Sequence, residues 1–406
     1  MMDERIPPTI LCLASYEKGI DFLRAAKGLG CTVLLLTLPE LETVGWPRDC
    51  IDELYYMPNL SDLPSVINGV SYLARARRID RIVPLDEYDV LTAAALREHL
   101  QLPGMGLTAA RLLRDKLAMR VRAQQAGVLV PEFVGAFNND EVRRYLERVP
   151  GPWLIKPRAE ASTIGIATVR DPKEVWGHLD ALGDGRSFHH IERFVPGDIF
   201  HGDAIVWDGR AVFAEMHRYG RPPLDVFHQG GTACSSTIPR GTADELALLA
   251  LNQRVIAALG FERGITHMEF IKAHHDGQFY FLEVAARVGG AHIHEMIEHA
   301  TGLNLWEEWA RIEALPEGDA YTLPPHRRDY AGVIISLARQ ECPDTSAYQD
   351  PEIVWRMELL HHTGFIVASA DAARVHSLLD EYTCRFATDF LAALPPYSSR
   401  PPSVSH

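Results

Sequence analysis

Apolar residues run without interruption over Thr9–Ala14 and again over Thr32–Leu38, with a helical stretch from Glu17 to about Leu29 between them. A further run, Ile82–Leu85, is followed by a helical pattern from Asp89 to Leu100. Buried strands alternating with helices predict a parallel sheet with helices on its faces. Pro103-Gly104-Met105-Gly106 breaks the chain, and Thr108 as an N-cap predicts a helix reaching Ala126. Trp153–Pro157 reads as a strand stopped by its proline. Further strands follow between Ile191 and Glu215, then an amphipathic helix from Asp244 to Leu259 that ends at Gly260. A third region from Tyr321 predicts strands at 331–338 and 364–368 and a helix from Asp371 to about Ala387. The tail from Pro395 is rich in Pro and Ser and predicts disorder. The pattern is that of an α/β region followed by α+β regions.

The most informative stretch is an alternating hairpin. Thr266–Phe270 leads to His275-Asp276-Gly277, and the chain returns through Phe281-Leu282-Glu283-Val284. A three-residue loop with Gly in the left-handed position is a common hairpin connection. That register sets Glu269 opposite Glu283, and Met268, Phe270, Tyr280, Leu282 and Val284 on the other face. Like charges facing each other across a ladder destabilise it. The pair therefore predicts a cation between the carboxylates, and oxygen ligands beside phosphate point to Mg²⁺. Arg287 and Gly289-Gly290 follow directly.

Composition narrows the class. The 406 residues allow two to four domains, and the 47% hydrophobic and 23% charged content is ordinary for a globular protein. The net charge of −14 argues against a nucleic-acid partner, because no basic surplus exists to neutralise a phosphate backbone. The six cysteines are scattered, as expected of reduced thiols. With no signal-peptide pattern and no apolar run near the roughly 20 residues that span a bilayer, the expectation is a cytoplasmic protein without a membrane partner.

Other segments carry weaker signals. Lys156 ends an apolar strand ahead of a small-residue loop, where a lysine and loop amides can reach phosphate oxygens. Glu192-Arg193-Phe194-Val195-Pro196-Gly197-Asp198 is an apolar-flanked acidic segment whose extended backbone suits an adenine edge, with an acidic residue beyond it for ribose hydroxyls. Gly104-Met105-Gly106-Leu107-Thr108-Ala109 matches a dinucleotide pattern but lies far from the first strand, and reads as a turn and helix cap. His294 and His299 are spaced i, i+5, which takes the second ring off the face a zinc-protease helix needs.

In order and spacing these segments resemble the ATP-grasp superfamily, in its carboxylate–amine (L-amino acid) ligase branch. The resemblance rests on Asp115-Lys116, Ile155-Lys156-Pro157, Glu192–Gly197, Met268-Glu269-Phe270, Phe281–Gly290 and Thr363–Ser369, and covers nearly the whole chain. It implies an ATP-grasp fold with a Rossmann-like pre-grasp α/β domain (1–108), a small lid subdomain (109–190), a large subdomain with the metal site (191–320), a C-terminal α+β region (321–394) and a tail (395–406). It further implies that Lys116 and Lys156 bind ATP phosphates, and that residues 157–165, Ser162 among them, close over the nucleotide. Arg193, Phe194 and Val195 would form the adenine hinge with Glu192 nearby, and Asp198 would bind ribose. Ile271 would pack on the purine with Phe281 opposite. Glu269 and Glu283 would hold Mg²⁺, and Arg287 would face the transferred phosphate and the acyl-phosphate carbonyl.

The implied activity is ATP-dependent coupling of a carboxylate to an amine through an acyl phosphate, with ADP and phosphate released. Two alternatives are an ATP-grasp carboxylase or formate- or bicarbonate-activating enzyme, and a non-catalytic nucleotide sensor. The sensor alternative is motivated by Ala285, which stands where the family usually carries the Asn metal ligand, with His267 or a substrate carboxylate as a replacement. Candidate substrate residues are His228, Gln229, Gly230 and Gly231 in a Gly-rich insertion, His267, and Gly289, Gly290, His292 and His294 after the hairpin. The resemblance also allows a homodimer.

Overall fold

A computed structural model of the chain describes residues 7–161 and 163–392, with the side chains of 227–229 outside the described set. Ser162 and the tail expected to be disordered lie outside the described residues. Four strands open the chain: β1 (Thr9–Ala14), β2 (Thr32–Thr37), β3 (Glu53–Tyr56) and β4 (Arg81–Pro84). They form a parallel sheet in the order β3-β2-β1-β4. Ile10–Ala14 are fully buried, as continuous apolar strands covered on both faces must be.

A second, antiparallel sheet contains β5 (Phe133–Gly135), β6 (Trp153–Pro157), β7 (Ala167–Val169) and β8 (His189–Arg193), in the order β5-β8-β6-β7. The third holds β9 (Gly197–Trp207), β10 (Arg210–Tyr219), β11 (Ala233–Thr237), β12 (Gly264–Ala273), β13 (Phe279–Ala285), β14 (Tyr330–Leu337), β15 (Ile353–Arg356) and β16 (His362–Ser369). These eight strands are antiparallel in the order β13-β12-β9-β10-β11-β14-β16-β15. Pairing of β11 with β14 makes the third sheet continuous across position 320. One face of this sheet shares a core with the N-terminal sheet, through Ile205, Ile265, Val288 and the helix Ile293–Thr301. Among the described residues no helix is long and apolar enough to cross a membrane.

Two local differences from the sequence pattern matter for the site. The helix expected from Thr108 to Ala126 is two helices, Leu107–Leu112 and Lys116–Gln125. Asp115, not Thr108, supplies the side-chain cap, accepting the amides of Leu117 and Ala118 at 3.0 and 3.2 Å. The first amide of a helix has no partner within it, and that of Lys116 donates to the Arg158 carbonyl at 2.8 Å. The break thus pins Lys116 to the loop after β6.

The second difference is in the hairpin. Its loop is four residues, His274–Gly277, closed by the Ala273 amide on the Gln278 carbonyl (2.9 Å) and the Gly277 amide on the Ala273 carbonyl (2.8 Å). The register then shifts by one between Glu269 and Phe270, leaving Leu282 as the extra residue on β13. The longer loop and the bulge cancel, so Glu269 still faces Glu283. Between loop and bulge, however, the faces are exchanged.

Candidate active site

A cleft with a cavity volume of about 140 Å³, open to solvent, lies between the second and third sheets. Lys156, Pro157 and residues 192–195 line one wall; Gly197, Ile199, Ile271, Leu282, Glu269 and Glu283 line the other; Lys116 and Arg120 reach in from the helix that Asp115 caps. The hinge from β8 to β9 connects the two walls. Its extended backbone is anchored by the Arg193 amide on the Glu132 carbonyl (2.8 Å) and the Phe194 amide on the Pro152 carbonyl (2.9 Å). Lys116, Lys156, Glu192, Arg193, Phe194, Val195, Ile271, Glu269 and Glu283, separated in sequence, thus meet in one cleft.

Phe281 does not line it. The residue is fully buried against Phe270, in the core beneath the third sheet. The bulge turns Leu282 toward Ile271 and the cleft, the reverse of the simple alternation. Phe281→Ala is therefore expected to destabilise the fold by about 3–5 kcal/mol, as emptied aromatic core sites do. Leu282→Ala should leave the denaturation midpoint nearly unchanged and weaken nucleotide binding. Urea melts and nucleotide titrations of the two variants check the assignment, and swapped outcomes would reject it.

Asp198 also faces away from the cleft. Gly197 and Ile199 take the cleft side of β9, so by the two-residue period Asp198 points to the opposite face. There it pairs with Arg218 at 3.0 Å. Gly230 and Gly231 carry positive φ (71° and 128°), and a Cβ on Gly231 would collide with Arg221. Their glycines are explained by backbone conformation. The side chains of His228 and Gln229, expected at the substrate, lie outside the described residues, as does Ser162.

The charged end of the cleft is a lattice of close pairs. Glu192, 1% exposed, receives Lys156 Nζ at 2.5 Å and Arg120 Nη2 at 2.9 Å. Burial pushes its carboxyl up, but the two cations outweigh that and hold it well below the usual range. Arg120 was absent from the sequence expectations. Its Nη1 is buried with no partner, so one donor of a fixed guanidinium fork is left over beside the cleft. The signal was available: Arg120 is four residues after Lys116, one helical turn along the same face.

Glu269 and Glu283 face each other across the β12–β13 ladder. Lys116 Nζ sits 2.8 Å from Glu283 Oε2 and donates to the Glu160 carbonyl at 2.6 Å. Burial and then the charge of Glu283 raise the Glu269 carboxyl. Burial works the same way on Glu283, but Lys116 outweighs it and holds that carboxyl low. Tyr219 donates its hydroxyl to Glu269 Oε1 at 3.1 Å. Two opposed carboxylates with a lysine ammonium on one of them form a donor set that suits a hard divalent cation.

Past Glu269 on the same face comes a buried polar chain. Asp203 lies between His201 Nδ1 (2.7 Å) and His267 Nδ1 (2.9 Å), and Ser235 Oγ is 2.7 Å from His201 Nε2. Burial raises the Asp203 carboxyl, but the two imidazoles more than reverse this. It is therefore an ionised acceptor, and both rings donate from Nδ1. These are direct hydrogen bonds; ligand atoms around zinc at its usual distances of about 2.0–2.2 Å would stand farther apart. His267 Nε2 is left facing Glu269 Oε1 at 4.0 Å, and Ala285 is its partner across the ladder. A Cβ on Gly289 would meet Asp203 Oδ1 at 2.8 Å, so this turn packs directly on the Asp203–His267 pair. A Cβ on Gly290 would meet nothing within 4 Å. His292 and His294 do not line the cleft: His292 bonds Glu295 Oε1 through Nδ1 at 2.9 Å and packs at a tilt on Trp355 with ring centres 4.5 Å apart, and His294 Nδ1 lies 2.9 Å from Glu295 Oε2 without hydrogen-bond geometry. Arg287 Nη2 lies 2.8 Å from Glu87 Oε2, in the turn after β4.

No family model matches the chain. An L-arginine-specific L-amino acid ligase of Bacillus subtilis is 25% identical over 269 residues, 64% of this chain and 64% of that protein. An alanine–anticapsin ligase of Bacillus subtilis strain 168 is 24% identical over 63% of this chain and 58% of its own length. The chain thus spans less than two thirds of these curated relatives. Among solved structures, an L-amino acid ligase from Bacillus licheniformis superposes with a TM-score of 0.76 at 18% identity, covering 94% of this chain and 98% of that one. The biotin carboxylase domain of a Hydrogenobacter thermophilus 2-oxoglutarate carboxylase, in complex with MgADP, ADP and bicarbonate, gives 0.69 at 16% identity, covering 95% and 91%. The chain has the ATP-grasp fold that these structures share, and in sequence it is similar to L-amino acid ligases.

Proposed function

We propose that the protein is an ATP-dependent ligase that activates a carboxylate as an acyl phosphate and couples it to an amine, with amino acids as substrates. The observation that carries this is the pair Glu269 and Glu283, opposed in the cleft between the second and third sheets, with Lys116 2.8 Å from Glu283. In this reading the apolar wall of Val195, Ile199, Ile271 and Leu282 takes the adenine, and Lys116, Lys156 and Arg120 take phosphate oxygens. Glu269 and Glu283 would hold Mg²⁺, which when bound neutralises phosphate charge and aligns the triphosphate. Lys116 and Lys156 line the cleft on the carboxylates of Glu283 and Glu192, so the nucleotide exchanges carboxylate partners for phosphate ones. Arg287 stabilises the oxyanion formed when the amine attacks the acyl phosphate. Closure of residues 157–165 excludes water from that intermediate. The domain boundaries expected from the sequence belong to the same proposal.

An ADP-release screen over pairs of amino acids and small carboxylic acids, with products weighed by mass spectrometry, tests the reading. Release that requires both partners and yields an amide supports it. Release driven by bicarbonate or formate makes the protein a carboxylase or formate-activating enzyme instead. Nucleotide binding without release under any mixture makes it a sensor.

A further inference from the structure

Arg287 has few contacts that set its aim. Its Nη1 donates to the carbonyl of its own neighbour Val288 at 2.8 Å, and its Nε is buried without a partner. Among the described residues, its hydrogen-bond partner from elsewhere in the chain is Glu87, at 2.8 Å. Glu87 is itself held firmly. It lies in the 3₁₀ turn Glu87–Asp89 at the C-terminal end of β4. Asp86 caps that turn by accepting the Tyr88 amide at 2.9 Å, and Lys18 pairs with Asp86 at 2.5 Å.

The other oxygen of Glu87 meets Arg114 Nη1 at 3.1 Å, and its carbonyl accepts Arg114 Nε at 3.1 Å. Arg114 Nη2 continues to the Ala159 carbonyl, and Lys116 reaches the next carbonyl, Glu160, at 2.6 Å. Arg158 meanwhile clasps Asp115, with Nε at 3.0 Å. Residues 114–116 therefore grip residues 158–160, the root of the loop expected to close over ATP. Burial pushes the Glu87 carboxyl up, but Arg114, Arg287 and Lys116 bring it down to about 2, so it is ionised and can serve both guanidinium groups. The contacts run from Arg287 to Glu87, on to Arg114 and the loop root, and through Lys116 to Glu283, which faces Glu269 across the ladder.

We propose that Glu87 is the positioning residue that aims Arg287 and couples that aim to the root of the 157–165 loop. The role given to Arg287 rests on the ligase reading; the coupling does not. A carboxylate supplied by the N-terminal sheet then makes loop closure and Arg287 placement a single event.

Two readouts test it on the full chain. The first is amide hydrogen exchange with a non-hydrolysable Mg·ATP analogue. Glu87→Gln should speed exchange at 158–161 and at 286–290 together. Arg114→Lys keeps the charge but cannot reach Glu87 and Ala159 at once, and should do the same. An increase confined to 85–90, or none, overturns the proposal. The second is steady-state kinetics. Glu87→Gln should lower kcat about tenfold, the scale of a misplaced reacting group, with KM for ATP changed less than about twofold and less amide formed per ADP. Glu87→Asp, one methylene short of spanning both arginines, should fall between. An unchanged kcat, or a rise in KM alone, overturns the proposal. If the parent protein forms no amide, the ligase reading fails while the exchange experiment still decides the coupling.

Discussion

Glu283→Gln is expected to lower kcat/KM by at least about 10³-fold, the scale on which groups stabilising developing charge act, and to weaken Mg·ATP binding while the fold survives. The structural reason is the coupled pair. Glu283 keeps its charge because Lys116 sits on it, and that charge in turn raises the carboxyl of Glu269. Replacing one carboxylate by a neutral amide of the same shape removes the like-charge repulsion across the ladder. The pairing with Lys116 that holds Glu283 ionised is lost as well, so the apoprotein should melt somewhat lower than the parent while still folding cooperatively. The ligand set for a divalent cation is halved at the same time. Calorimetric titration with Mg·ATP and a thermal melt on the same sample separate these effects. Turnover near that of the parent would remove Glu283 from the metal site; lost turnover with a collapsed melt would make its role structural.

Lys156→Ala should weaken ATP binding by about 10- to 100-fold, in keeping with roughly 1.5–3 kcal/mol for a hydrogen bond to a charged group. In the protein without nucleotide, Lys156 is held on buried Glu192. Its removal leaves Glu192 to Arg120 and His190, at 2.9 and 3.4 Å. Glu192 keeps one strong cationic partner, so the stability loss should be smaller than that of an orphaned buried charge. Nucleotide titration reads the affinity directly. An unchanged dissociation constant would take Lys156 out of the phosphate contacts.

Much of the site was legible because its signals are local. A lysine at the end of an apolar strand, an acidic hinge before Pro-Gly, and two glutamates on alternating strands can each be read from a few neighbouring residues. The facing of Glu269 and Glu283 was foreseen from a three-residue loop and an unbroken ladder. The real loop is one residue longer, and a bulge at Leu282 restores the pairing. Phe281 shows what that cancellation conceals: inside the altered stretch the two faces trade places, and the phenylalanine goes to the core. Asp198 failed for a related reason. Its proximity in sequence to the hinge was apparent, but the face it takes depends on where β9 begins its alternation.

The sequence by itself determined the alternation of buried strands and helices at the N-terminus, the opposed glutamates, and the ordered motifs that resemble an ATP-grasp enzyme. These follow from side-chain periodicity and residue chemistry over short spans. Only the tertiary structure decided which groups hold one another. Asp203 joins His201 to His267, and Glu87 meets Arg287 across 200 residues of chain. Such pairs arise when separate sheets pack and charges leaving water must find partners, and no local pattern records which partner the packing delivers.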